Sequence, residues 1–389
     1  MNIDIIPIFK DSKALACHVH ADANDGQLPP GTSQRVDDNY YGVGEFSMFC
    51  YLLPHIEMEA MYNIVSPQMD TTPQPQDPVY SDTLGKRLAA LNCPSDFGAS
   101  SQNPYSNYCI SAGDGFATQS ETTNEDLETR IYYKPYCPDI YTGHHVTRGP
   151  FLVDYSGGYS TENDPTYGHF SWAFVSNPPP GQPETVSLNS INDGLSNTAL
   201  IGERICGYGL SSESDKPTNP ARWLVDCSGY PDDNTFGIAG NLVVAYAIYD
   251  PFTGGGDVSS WFCPQNLLNH FQGGTISSDL SGQDINLFYR SMDFWSLSFG
   301  ITAWFNTILP PNSPGALTNG EWEFAFVSAS SYHSGGVNIA RCDGSVSFIN
   351  NSINCGDLTK TIQPSLSGPS RYGVWGAFGS ANGDEVVAP

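Results

Sequence analysis

His333-Ser-Gly-Gly-Val-Asn-Ile-Ala-Arg-Cys-Asp-Gly-Ser-Val-Ser-Phe-Ile349 reads as a β-hairpin. Val337, Ile339 and Arg341 alternate with Asn338, Ala340 and Cys342, the period of a strand. Asp343-Gly344 then predicts a two-residue turn with both central residues at positive φ. Val346 and Phe348 resume the alternation on the return strand. Gly335 and Gly336 let the chain bend into the first strand with no Cβ in the way.

Upstream of the hairpin, Trp322, Phe324 and Phe326 share one face of a second strand, and 299–305 reads as a third. From about 104 to 260, aromatic-rich strands alternate with Gly, Asn, Asp and Pro clusters: 130–133, 151–153, 169–175, 198–201 and 242–249. Segments 154–168, 176–185 and 211–220 read as loops. Helices come earlier. Residues 10–25 are rich in Ala, and Asp25-Gly26 stops them. Residues 44–63 place Phe46, Phe49, Cys50, Leu53, Ile56 and Ala60 on one stripe, with Pro54 marking a kink or the first turn of a second short helix. A polar loop is expected over 64–83 and short helices over 84–92 and 264–272. The class is α+β, with helices first and then a mostly antiparallel sheet carrying long loop-rich insertions.

Gly (39) and Pro (29) are abundant, which favours short strands and turns. Fifteen basic against 41 acidic side chains give a net charge of −26, which disfavours nucleic acid as a partner. No apolar run reaches the roughly 20 residues a membrane-spanning helix needs. The ten cysteines form no C-x-x-C pair, so a zinc ribbon is not expected. Their even number suits an exported protein with disulfides, and buried free thiols are the alternative.

Nine residues separate His333 from Asp343-Gly344, and this resembles the H-X9-DG signature of the DUF1559 family of prepilin-type proteins abundant in planctomycetes. Seven other segments resemble family motifs in the same order: Leu28–Gly31, Leu52–Asn63, Cys93-Pro-Ser-Asp96, Ser106-Asn-Tyr108, Asp193–Thr198 with Gly202-Glu203, Phe305–Pro314 and Tyr372–Trp375. The resemblance implies a pilin-like fold: residues 1–30 as the end of a stalk-type helix and linker, and residues 31–389 as a globular head. Family members begin with a prepilin leader and a long apolar helix, and this sequence is expected to start where that helix ends. The resemblance further implies an extracytoplasmic, non-enzymatic structural or adhesive protein. Its partners would be like or related pilin-type subunits, or cell-surface or secretion machinery.

Three constellations invite chemistry. His333 and Asp343 suggest an acid–base pair, but strand 337–342 separates them by roughly 20 Å, so they are expected to do separate jobs. Asp343 would hold the turn, and His333 would hydrogen-bond the backbone or a neighbouring loop. Asp193, Ser196, Asn197 and Glu203 offer oxygens suited to calcium if strand 198–202 folds back. Calcium binding by pseudopilin heads supports that assignment through the resemblance, and the other reading is an Asp-Gly turn with backbone capping. Cys17, His18 and His20, and His144-His145, are metal-ligand types without a third or fourth partner in view. No G-x-S-x-G or H-E-x-x-H occurs. Alternatives to the pilin-like reading are a soluble glycan- or solute-binding protein, using Trp172, Trp261, Trp295, Trp304 and Trp322 as stacking platforms, and a hydrolase with converging carboxylates.

Overall fold

A computed structural model describes residues 6–31, 46–69, 82–96, 104–114, 148–151, 185–206, 224–226, 265, 268, 287–288, 295–297, 303–317, 325–359 and 368–385. Helix α1 (Ile6–Ala23) buries Ala14, Cys17 and Ala21, spaced at three and four residues, against the core. It stops as the sequence predicts: Asp25 and Gly26 take positive φ, and the Gly26 amide donates to the Ala21 carbonyl.

The predicted 44–63 helix is divided. Ser47 caps α2 (Met48–Leu52) by accepting the Phe49 amide, Pro54 opens a 3-10 turn over Leu53–Ile56, and Glu57 breaks the chain at φ 65°. Helix α3 (Glu59–Met69) then runs through what reads as a loop. Its buried residues are Val65 and Met69, one turn apart, and this packing outweighs Pro67. An amide at position 67 would have bonded the carbonyl of Asn63, an exposed residue. The expected 84–92 helix is a single 3-10 turn, Ala89–Leu91.

Strands β1 (Tyr108–Ser111), β2 (Ala199–Glu203), β5 (Trp304–Phe305), β8 (Gly336–Arg341) and β9 (Val346–Asn350) form a sheet in the order β5-β1-β2-β8-β9. All pairs are antiparallel except β1–β5. A second sheet joins β4 (Leu287–Phe288), β3 (Leu224–Asp226), β6 (Gly315–Leu317) and β7 (Ala325–Phe326) in that order. The architecture is α+β, with a helix leading into the sheets. The strands expected at 130–133, 169–175 and 242–249 and most of 151–153 and 264–272 lie outside the described residues.

Both faces of the five-stranded sheet are covered. Tyr108, Ile110, Ile201 and Ala340 join Ala14 and Cys17 of α1 in one cluster. Cys109, Phe305, Val337, Ile339 and Ile349 join Trp375 and Phe378 of α4 (Gly373–Gly379) in the other. Trp375 stacks on Phe305 at 6.2 Å and donates its indole N–H to the Leu309 carbonyl.

The hairpin forms, but its turn differs from the two-residue prediction. Arg341 donates to Ser345, and the Gly344 amide returns to the Arg341 carbonyl, so the loop is Cys342–Gly344. Only Gly344 (φ +87°) is left-handed, and Asp343 is not. This is the three-residue hairpin with a glycine bulge. Its cause is remote: the Cys342 and Asp343 amides donate to the Thr198 and Leu195 carbonyls. The extra residue shifts the return strand by one step. Phe348 pairs with Asn338 and is 50% exposed, whereas Ile349 pairs with Val337 and is buried. Gly336 is required, because a Cβ there would collide with the Ile349 carbonyl oxygen.

Just past β1, Gly113 and Asp114 meet Arg148 and Gly149. The two segments touch: the Gly149 amide donates to the Ala112 carbonyl, and a Cβ on Gly113 or Gly149 would strike the other segment's backbone. Arg148 Nε donates to Asp114 Oδ1 at 2.7 Å, and both side chains are buried. Arg148 also donates to the Gly368 carbonyl.

Where α1 meets the 3-10 turn, the His20 ring lies 5.7 Å from His55 and 6.5 Å from Tyr51. Burial, then the charge of His55, pushes the His20 pKa down to about 4, and burial lowers His55 also. The unfolded chain therefore binds more protons, so stability from this contact is full above the ordinary value of 6.5 and is lost as pH falls toward 4. His20→Asn is expected to flatten the fall in the urea midpoint between about pH 6.5 and 4.5 relative to the parent chain. Parallel curves for the two proteins would show that the pair is not the cause.

Candidate functional site

The face of the five-stranded sheet that packs on α1 carries a polar cluster at the end of β2. Glu203 closes β2 opposite Tyr108. Its Oε2 accepts the Asn338 backbone amide at 2.7 Å and the Asn338 side-chain amide at 3.0 Å, which fixes the carboxylate. The loop before β8 delivers His333: Ser331 Oγ accepts the His333 amide and donates to the Gly336 carbonyl. Cys93 follows the Ala89–Leu91 turn, and its amide donates to Asn107 Oδ1 at 2.8 Å. The Asn107 amide in turn donates to Asp96 Oδ2 and to the Arg204 carbonyl, and Asp96 Oδ2 also accepts the Cys206 amide. The cysteine is thus set by a buried polar network rather than by its neighbours in sequence.

Three donor atoms converge. His333 Nε2 lies 3.2 Å from Glu203 Oε1 and 3.6 Å from Cys93 Sγ. All three ligand atoms lie within 4.8 Å of one another. The hydrogen bond with Cys93, then that with Glu203, raises the His333 pKa to about 9 against its partial burial. Lys13, buried on α1, sits 3.9 Å above the Tyr108 ring beside this face. The cluster is not a nucleophile–base–acid relay. Such a relay uses the two imidazole nitrogens in series, one toward the thiol and the other toward the carboxylate. Here both contacts fall on Nε2.

His333 and Asp343 stand at opposite ends of β8, as strand length requires. Asp343 holds the turn by accepting the Ser345 amide and hydroxyl through Oδ1. The His333 ring meets a carboxylate and a thiol, and it is the His333 amide that makes the local bond. Gly335 takes φ +83°, as a bend into β8 needs.

The four oxygen ligands expected for calcium are not brought together. Glu203 is turned to His333 and Asn338. Asp193 is buried beyond the other end of β2, where its two carboxylate oxygens accept the Gly383 and Glu385 amides. The Asn197 side chain donates back to the Asp193 carbonyl, and the Ser196 carbonyl accepts Arg341. Asp193–Asn197 is thus a capped turn that ties the C-terminal tail to β2.

Cys17 is core, with burial pushing its thiol well up, and His20 faces His55. His144 and His145 lie outside the described residues. Seven cysteines are described, all buried free thiols, and the disulfides that the even count suggests are not found among them. Trp295, Trp304 and Trp375 are buried in the core and offer no stacking platform. Trp172, Trp261 and Trp322 lie outside the described residues.

Sequence spacing does not reveal the Cys93–Glu203–His333 cluster, whose members are 110 and 130 positions apart. The usable signal lies elsewhere: four of the motif-like segments, 93–96, 106–108, 202–203 and 333, meet at this one place.

No curated protein and no solved structure matches the chain. A family model described as a protein of unknown function, DUF1559, matches residues 14–356. With that match across most of its length, the chain belongs to the DUF1559 family.

Proposed function

We propose that this chain is the head of an exported pilin- or pseudopilin-type subunit, with a structural or adhesive role and no catalysis. The observation that carries this reading is the two-sidedness of α1. Its inner residues, Ala14, Cys17 and Ala21, are buried, and Ala14 and Cys17 join the core cluster on one face of the five-stranded sheet. Its outer surface presents Leu15, 61% exposed, and Val19, 45% exposed, one helical turn apart. An apolar pair on the open side of a helix already packed on its sheet suits contact with a neighbouring helix. No described helix is long and apolar enough to cross a membrane. The proposed role rests on packing of α1, with the acidic head displayed outward.

Cross-linking in intact native cells tests this. The described native thiols are buried, so a cysteine at Val19 would be the more reactive one. Val19→Cys is expected to give discrete cross-linked species with like or related subunits. Glu59→Cys, exposed on α3 and not on α1, serves as the reference. Equal, diffuse labelling at both positions would remove the support for subunit contact through α1.

A further inference from the structure

We propose that Cys93, Glu203 and His333 bind a divalent transition metal of the zinc class, with a fourth position open to water. This site is independent of the pilin-like reading. The argument is geometric. In a tetrahedral zinc site with bonds of about 2.0–2.1 Å to nitrogen or oxygen and about 2.3 Å to sulfur, the N···S edge is about 3.6 Å and the N···O edge about 3.3 Å. The observed separations from His333 Nε2 are 3.6 Å to Cys93 Sγ and 3.2 Å to Glu203 Oε1. Two donors placed around one imidazole nitrogen at these distances describe two edges of that tetrahedron. A lone N–H cannot point well at both.

The surroundings agree. Ligating carboxylates are held by outer hydrogen bonds, and here Asn338 grips Oε2 twice while Oε1 faces the other donors. Thiolate, carboxylate and a divalent ion balance in charge, which suits a buried position. Glu203 and Cys93 are almost wholly buried, while the His333 side chain is 13% exposed, so solvent reaches the cluster from the histidine side. One thiolate and one imidazole select a borderline-soft ion. Calcium is disfavoured, since it takes six to eight oxygens and this cluster supplies one carboxylate.

The test uses the full chain, stripped with a chelator and titrated with Co²⁺ alone. One equivalent is expected to produce the thiolate-to-cobalt charge-transfer band and the strong visible absorption of four-coordinate cobalt, both abolished by Zn²⁺. Cys93→Ser should remove the charge-transfer band, and His333→Gln should weaken binding by about 100-fold or more. Asn338→Ala should keep the band and weaken affinity by about 10–100-fold, as loss of an orienting partner does. His333→Gln lies at the partly exposed edge, so it reports on the site even where Cys93→Ser fails to fold. Weak six-coordinate spectra in the parent chain would overturn the proposal. So would a cobalt–thiolate band that survives unchanged in His333→Gln and Cys93→Ser.

Discussion

Replacing Arg148 by Met is expected to lower stability by about 3–5 kcal/mol, the cost of stranding one partner of a buried ion pair. The side chain of Asp114 is 0% exposed and that of Arg148 is 1% exposed, so water cannot take the place of the lost guanidinium. Burial already raises the Asp114 pKa, and Arg148 opposes that rise. Without Arg148 the carboxyl should climb further. A folded-state pKa above the unfolded one means that the folded state holds the proton more tightly, so stability falls as pH rises. The gap between Arg148→Met and the parent chain should therefore narrow on acidification. Urea midpoints at two pH values measure it. A loss under about 1 kcal/mol would place the pair among the weak surface bridges instead.

Trp375→Ala should cost about 3–5 kcal/mol, the range for emptying a large aromatic site in a core. Trp375 is fully buried between Phe305 and Phe378 and supplies the N–H that the Leu309 carbonyl accepts. The loss combines a cavity on one face of the five-stranded sheet with a carbonyl left without its donor. Trp375→Phe keeps most of the volume and should cost clearly less. Equal losses for the two variants in chemical denaturation would mean that the hydrogen bond, and not the packing, dominates.

The hairpin was legible because Val337 and Ile339 alternate with Asn338 and Ala340 over a full strand. The phase of its return strand was not. It is set by amide bonds from Cys342 and Asp343 to residues 195–198, a contact that no local pattern encodes. Pro67 was misleading for the same kind of reason, since Val65 and Met69 draw the helix past it. In the site, strand geometry alone separated His333 from Asp343. Glu203 is a ligand type legible in the sequence, but its neighbours in space are His333 and Asn338 and not Asp193 and Asn197. Its side chain lies on the α1 face through the pleat of β2, and the polar network around Asn107 and Asp96 decides where Cys93 sits. Such networks are specified by tertiary contact, so motif order pointed to them and spacing could not.

The meeting of Asp114 with Arg148 has a consequence for the length of the chain between them. The described ends of the intervening chain are fastened to each other and to the core, so its closure does not depend on its length being one particular value. Doubling the length of such an excursion costs only about 0.6 kcal/mol in closure entropy. The length of chain between Asp114 and Arg148 can therefore change at little entropic cost to the closed pair. One scaffold could in this way accept intervening chains of many lengths.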